Sequence, residues 1–531
     1  MSVKNSCERK QKCKNSPCVL KKVSAAVLAG TLAFGVLGCG QDEAAQDGVG
    51  NKLTYWVRLH PNIATSVTNF GETPFAKAYS EKTGISVEYI HPAQGQEAES
   101  LNLLIASGEL PDIIETDWLS RDPESSIEKK TILPLNDLIE SDAPNLKKFL
   151  SENPDIDKEV QTDSGNYYVF PFIRNGEKLL STAGFIMRKD WLDELGLQAP
   201  ETIEEWETVL TAFKEQKGAT CPFVGGTYHL QFLTGAFGVG YDFYIDNGEV
   251  KYGCLQDGFG EYLETMNRWY QNGLIDKNFA VMETDYITTN MLNGGGGASF
   301  GAGGGQLGVW LTTAKNNGDT AYELTAVKYP AEEKGQMPAF SNKQWPYSPL
   351  NGAAITGQSK NPQLAAQFLD YSYSEEGSML NNFGIEGESY EMVDGQPQYT
   401  ELITNNPDQL PMAQILTMYV RASGEGPFVQ DERYIEQYYQ EPSQKEALVI
   451  WGENEGEKTS MPQLTLTQDE LTEYNRIMTD FETFRDENII SFIIGSRPIE
   501  EFDAFVQECK DKNIERAIEI RQAAYDRFLA R

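Results

Sequence analysis

The chain has 531 residues, 79 acidic against 44 basic, and a formal net charge of −35 at neutral pH. So large an acidic excess repels nucleic acid, whose binding depends on Lys and Arg neutralising phosphates, and excludes it as a partner. The length exceeds what one hydrophobic core holds, so at least two lobes are expected, with room for a deep cleft.

Residues 1–22 carry Lys4, Arg9, Lys10, Lys12, Lys14, Lys21 and Lys22 against the single acid Glu8, and an apolar run from Val23 to Leu37 follows. That is the layout of a secretory signal. The run is short of the roughly 20 residues that span a bilayer. It ends in Val36-Leu37-Gly38-Cys39, which resembles a bacterial lipobox. The resemblance implies cleavage before Cys39 and transfer of a diacylglyceryl group to its thiol. Two acyl chains hold stably, at about 0.8 kcal/mol per buried methylene, so the mature chain is expected to sit on the membrane surface without spanning it. Residues 39–50 are small and polar and read as a flexible tether. Without residues 1–38 the chain keeps 37 basic and 78 acidic residues, a net charge of −41.

From residue 53 short β-rich runs alternate with helical segments. Leu53–Leu59 reads as a strand, Thr73–Thr83 as a helix stopped by Gly84, and Ile85–Ile90 as a second strand. A helix over Glu97–Ser107 ends at Gly108, and Pro111–Thr116 is a third strand. This alternation predicts an α/β fold with a parallel sheet, whose ligands bind beyond the carboxyl ends of the strands. The loops at Arg58–Asn62, His91–Gln96 and Asp117–Ser120 are therefore the ones to watch. A second α/β region begins near Ile173, with a helix over Thr202–Lys217, a strand over Cys221–Val224 and a helix over Gly260–Gln271. The glycine-rich stretch Gly294–Gly305 lacks the Gly-Lys-Ser/Thr of a phosphate loop and reads as a strand, Ala298–Gly301, between tight turns. Asn351–Thr356 is a strand, Asn361–Asn382 one periodic helix, and the last 70 residues a helical hairpin, Thr467–Glu487 and Pro498–Phe528.

Beyond Cys39 the mature chain keeps Cys221, Cys254 and Cys509, with no Cys-x-x-Cys spacing, and the histidines are His60, His91 and His229. No zinc site or disulfide framework follows. A bond between Cys221 and Cys254 stays open. No cofactor and no metal ligand set is expected.

Several segments, in order, resemble the extracellular solute-binding lipoproteins of ABC sugar importers, in particular the aldouronate- or oligosaccharide-binding branch. They include Glu81-Lys82-Thr83-Gly84-Ile85, Ser107-Gly108-Glu109-Leu110-Pro111-Asp112, Arg188-Lys189-Asp190-Trp191-Leu192, Gly384-Ile385-Glu386-Gly387-Glu388 and Ala524-Tyr525-Asp526-Arg527-Phe528. The likeness spans nearly all of residues 53–531. It implies a two-lobed, type II periplasmic-binding-protein-like α/β fold with three hinge crossings and a helical C-terminal extension. Lobe 1 is expected over 51–172 plus 350–388, and lobe 2 over 173–349 plus 389–531. The crossings should fall near Phe170-Pro171-Phe172, Pro346-Tyr347-Ser348 and Gly384–Tyr390, where proline and glycine cluster.

A sugar offers apolar ring faces and a rim of hydroxyls, so aromatic platforms flanked by charged or amide groups are sought. Trp118 and Asp117 follow a strand end. Trp56, Arg58 and His60 alternate along the first strand and share a face. Tyr228 and His229 follow the Gly225-Gly226 turn, Trp345 and Tyr347 sit at the second crossing, and Glu386, Glu388 and Tyr390 at the third. The expected role is capture of an oligosaccharide between the lobes by a monomer anchored through Cys39, and its delivery to ABC permease subunits. No catalytic residue is expected. Alternatives are a peptide or polyamine binder, an adhesin or sensor module, and a surface glycoside hydrolase, whose two carboxylates would stand about 5–10 Å apart.

Overall fold

The computed structural model describes residues 51–531; the predicted leader, Cys39 and tether lie outside them. Its strands, in chain order, are β1 (Lys52–Trp56), β2 (Ser86–Ile90), β3 (Ile113–Thr116), β4 (Phe170–Asn175), β5 (Ala183–Arg188), β6 (Phe243–Asp246), β7 (Glu249–Tyr252), β8 (Ala298–Ala302), β9 (Leu324–Val327), β10 (Tyr347–Ile355), β11 (Tyr390–Val393), β12 (Gln396–Tyr399) and β13 (Val429–Asp431).

The first lobe is built as its pattern predicts. Thr73 accepts a hydrogen bond from the Ala76 amide at the start of helix Pro74–Thr83, and Gly84, in the left-handed region, closes it. Helix Glu97–Ser107 ends the same way at Gly108. These helices return the chain so that β1 pairs in parallel with both β2 and β3. The sheet order is β13-β4-β10-β3-β1-β2. β10 runs antiparallel to β3 and β4 because it is the chain returning from the second lobe. A register shift between Ser348 and Ala353 marks a bulge that leaves Leu350 exposed. One hydrophobic core, from Leu53 through Ile173 and on to Tyr347–Leu380, lies beneath this sheet.

The second lobe has its own core, running from Phe185 to Tyr329 and including Trp451 and Phe481. Its three-stranded sheet, β8-β5-β9, is antiparallel throughout. The predicted strand Cys221–Val224 reduces to bridges from Phe223 to Ile275 and Ala298. Trp451, fully buried, donates its indole N–H to the Phe185 carbonyl at 3.1 Å.

Most of the segment 389–448, expected in lobe 2, packs apart from the two main cores, although Val429 and Met418 touch the first and Ala447 belongs to the second. It forms a third cluster in which Tyr390, Tyr399, Leu416 and Tyr434 pack with Phe172 and Phe383. The chain leaves the lobe 1 sheet through β13 and enters lobe 2 through helices Glu432–Tyr438 and Pro442–Gly452. That path, and not Gly384–Tyr390, is the third crossing. The predicted helix Asn361–Asn382 is two helices, Pro362–Asp370 and Glu375–Phe383, because the Ser374 hydroxyl caps the second by accepting from the Gly377 amide. At the C-terminus the first arm lengthens to Gln468–Ile494, and the second breaks at Asn513 in the left-handed region. Arg527 and Arg531 of that arm pair with Asp163 of lobe 1.

The three described cysteines are free and buried. Cys254 lies 4.0 Å from Cys509, not beside Cys221, because helix Phe502–Asp511 packs against the turn Gly253–Leu255. No described helix is long and apolar enough to cross a membrane.

Candidate functional site

Between the lobes lies a cavity of about 520 Å³. Lobe 1 contributes Arg58 and His60, the crossing strands Phe172, Arg174 and Leu350, and lobe 2 Thr182, Ala302, Gly304 and Gly305. The remaining wall comes from the third cluster, through Ser423, Gly424, Glu425, Gln430, Tyr434, Ile435, Tyr438 and Tyr439. Arg58 and His60 arrive there because β1 ends at Trp56 and the chain runs on past the carboxyl end of the sheet.

The glycine-rich stretch does more than turn the chain. Ala302 ends β8 and, with Gly304 and Gly305 just beyond it, forms part of the cavity wall. A methyl group on Gly303 would stand 2.7 Å from the Tyr439 hydroxyl, and one on Gly304 2.9 Å from the Tyr438 ring. Glycine there lets two tyrosines approach the backbone closely. Tyr434 and Tyr438, one turn apart on a helix, stack with ring centroids 5.7 Å apart and planes 9° from parallel. Both line the cavity, but Tyr434 is buried and Tyr438 only partly so, and Tyr438 therefore supplies most of the aromatic surface that a sugar ring or another apolar face would pack on.

The polar groups are held in place. Arg174 pairs with Glu425 at 3.3 Å and lies over the Phe172 ring, 5.2 Å from its centroid. The Asn351 amide donates to the other oxygen of Glu425. Burial pulls the Arg174 guanidinium below its usual range, with Glu425 opposing. Arg58 is exposed and has no ion-pair partner among the described residues. His60 is pushed down to about 4 by burial, then by Arg58 and Arg421, so it is neutral near pH 7. Its Nδ1 accepts from the Asn62 amide at 3.2 Å, which leaves the ring proton on Nε2 as a donor.

Behind this wall a smaller pocket is lined by His60, Phe70, Glu115, Asn351 and Arg421. Arg421 pairs with Glu115, donates to the Glu425 carbonyl at 2.7 Å and lies over Phe70. Tyr55 donates its hydroxyl to Glu115 at 2.6 Å. The network fixes the segment that presents Gly424 and Glu425 to the cavity.

Of the residues singled out from the sequence, Arg58 reaches the cavity wall. Trp56, 5 % exposed, is core. Trp118 is 1 % exposed and donates to the Ile114 carbonyl at 3.0 Å, so its indole is spent inside lobe 1. Asp117 accepts from the Ser120 amide and shapes that turn. His229 accepts from the Gly226 amide at 2.9 Å through Nδ1, closing a helix start. Tyr228, 57 % exposed, stands at a separate concavity of lobe 2. Tyr347 is buried, its hydroxyl 2.8 Å from that of Tyr168. Trp345 is partly buried, and its indole N–H has no partner among the described residues. Glu386 and Glu388 are exposed on the turn before β11, and Tyr390 packs against Phe383. That turn lies away from the cavity because the third crossing runs elsewhere. The sequence carried a signal for the missed residues: Tyr434, Tyr438 and Tyr439 at helical spacing, and a run of three glycines. Among the described residues no cluster of three or more His, Cys, Asp or Glu is placed to hold a metal ion.

The model of the family described as bacterial extracellular solute-binding protein matches residues 64–379. The chain is 27% identical to the fructooligosaccharide ABC transporter substrate-binding protein FusA of Streptococcus pneumoniae, over 85% of this chain and 86% of FusA. It is 24% identical to the lipoprotein LipO of Bacillus subtilis, over 90% and 93% of the two chains. Among solved structures, the alginate-binding protein AlgQ2 without calcium ion superposes with a TM-score of 0.72 at 25% identity, covering 90% of this chain and 98% of AlgQ2. The two-lobed periplasmic-binding-protein-like fold expected from the resemblance is therefore the fold of this chain.

Proposed function

The chain belongs to the bacterial extracellular solute-binding proteins, and on that premise we propose that it is the substrate-binding lipoprotein of an ABC importer for oligosaccharides. It captures a sugar between its lobes and delivers it to the permease. Cys39 carries the lipid, so the protein works at the outer face of the cell membrane, tethered through residues 39–50, and it does so as a monomer. The observation that carries the reading is the cavity itself, which stacked Tyr434 and Tyr438 line together with Arg58, Arg174, Glu425 and a neutral His60. Ring faces would pack on the tyrosines and hydroxyls would pair with the charged and imidazole groups. The names of FusA and AlgQ2 as sugar binders support the same choice.

The composition of the wall weighs against the alternatives. A polyamine would want several carboxylates, whereas Glu425 is the one in this lining and is already shared by Arg174 and Asn351. A glycosidase needs a pair of carboxylates across the bond it cuts.

A thermal-shift screen against fructo-, xylo-, manno- and uronate-containing oligosaccharides tests the reading. A sugar at 100 times its Kd should stabilise the protein by about 2.7 kcal/mol. No shift with any sugar would overturn carbohydrate binding, and release of shorter products from a bound sugar would overturn the transport role.

A further inference from the structure

We propose that a second concavity, on lobe 2, is an outer subsite that takes the far ring of an oligosaccharide whose near end lies in the inter-lobe cavity. The inference rests on the carbohydrate reading above and adds to it a preference for longer chains. The concavity measures about 290 Å³ and shares no lining residue with the inter-lobe cavity. Tyr228, Tyr244 and Phe340 supply rings, and Asp242, Asn342 and Thr459 supply polar groups.

Three features suit a sugar ring. Tyr228 is more than half exposed, whereas most large aromatics of this lobe are buried in its core, so an aromatic face is left to solvent. The ring is also firmly backed: it meets Phe232 edge-on at 5.5 Å, and Phe232 stacks on Phe300 at 4.2 Å with planes 6° apart. An immobile platform loses little entropy on binding. The polar groups are complementary as well. Arg485 and Tyr252 occupy Oδ1 of Asp242, and Gln344 occupies Oδ1 of Asn342. Oδ2 of Asp242 and Nδ2 of Asn342 have no partner among the described residues, which leaves an acceptor and a donor. A sugar hydroxyl both donates and accepts.

The two sites lie close enough for one ligand. Phe300, at the end of the ring series from Tyr228, is on β8 two residues before Ala302, which lines the inter-lobe cavity. The Tyr228 ring centroid lies 6.3 Å from that of Phe300, and two strand residues span about 7 Å more, so an oligosaccharide of a few rings crossing the end of β8 would touch both.

Calorimetric titration of the whole protein with fructo-, xylo-, manno- and galacturono-oligosaccharides, disaccharide to hexasaccharide, tests this. In the wild type the affinity should climb with chain length. Tyr228→Ala should cut that climb by about fivefold to tenfold, the weight of one aromatic contact, and Tyr228→Phe should keep it. Because Tyr228 is exposed, both variants should fold, and circular dichroism checks that they do. An unchanged climb in Tyr228→Ala would overturn the subsite while leaving the carbohydrate reading standing. Absence of wild-type binding to every series would overturn both.

Discussion

Arg421→Ala should destabilise the protein by about 3–5 kcal/mol in urea unfolding, more than any single exposed ion pair is worth. The reason is the partner left behind. Glu115 is 4 % exposed, and its charge is matched by Arg421 on one oxygen and by the Tyr55 hydroxyl on the other. Burial works against the guanidinium, yet Glu115 and Tyr55 outweigh it and hold Arg421 above the usual arginine range. Burial also drives the Tyr55 phenol well upward, with Glu115 adding to it, so tyrosine stays a neutral donor. Deleting the guanidinium strands a carboxylate in an apolar site, whereas removing both charges together, Glu115→Gln with Arg421→Met, should recover most of the loss. A cost below about 1 kcal/mol for Arg421→Ala would mean that Glu115 is solvated some other way. Sugar binding should weaken in parallel, because Arg421 holds the segment that carries Gly424 and Glu425.

Glu159→Gln should act in the opposite direction and only at higher pH. Glu159 closes helix Pro154–Glu159, and its carboxylate accepts from the Tyr347 amide at 3.1 Å where the chain crosses back into lobe 1. Burial pushes its carboxyl up to about 7, the Tyr347 amide opposing and Asp155 adding. Because the folded value is raised above the unfolded one, the native state holds the proton longer, and stability falls as pH rises from about 4.5 to about 7. The span corresponds to about 3 kcal/mol. His60 runs the other way: its folded value of about 4 lies below the usual 6.5, so stability rises with pH through that window and partly masks Glu159. Comparing glutamine with wild type isolates the carboxyl, since glutamine keeps the acceptor. The variant should be about 3 kcal/mol more stable at pH 8 and near parity at pH 4, read as a difference in urea midpoints. A difference that does not change with pH would contradict the assignment.

Local signals worked where local physics decides: Thr73 caps, Gly84 and Gly108 stop, and the parallel β1, β2 and β3 follow from the helices between them. They failed where a neighbour in space decides. Periodicity runs unbroken through 361–382, but a serine cap at Ser374 splits the helix. Trp118 sits after a strand, as a binding residue would, yet the Ile114 carbonyl takes its indole. The order of family-like segments pointed to two lobes and a cleft between them. It misplaced the third crossing because proline and glycine mark turns of every kind, and the glycine at Gly384 closes the helix Glu375–Phe383. That error hid Tyr434 and Tyr438, which reach the cavity only because the chain crosses beside them.

Ligand should bind in the inter-lobe cavity, held by Arg58 and Tyr438. Titration calorimetry of the double variant Arg58→Ala/Tyr438→Ala, with the sugar that shifts the wild type most, tests it directly. The side chains lost are a hydrogen-bonding cation and an aromatic platform, together worth about 2.7 kcal/mol or more, so affinity should fall by at least about 100-fold. Wild-type affinity in that variant would place the ligand outside this cavity.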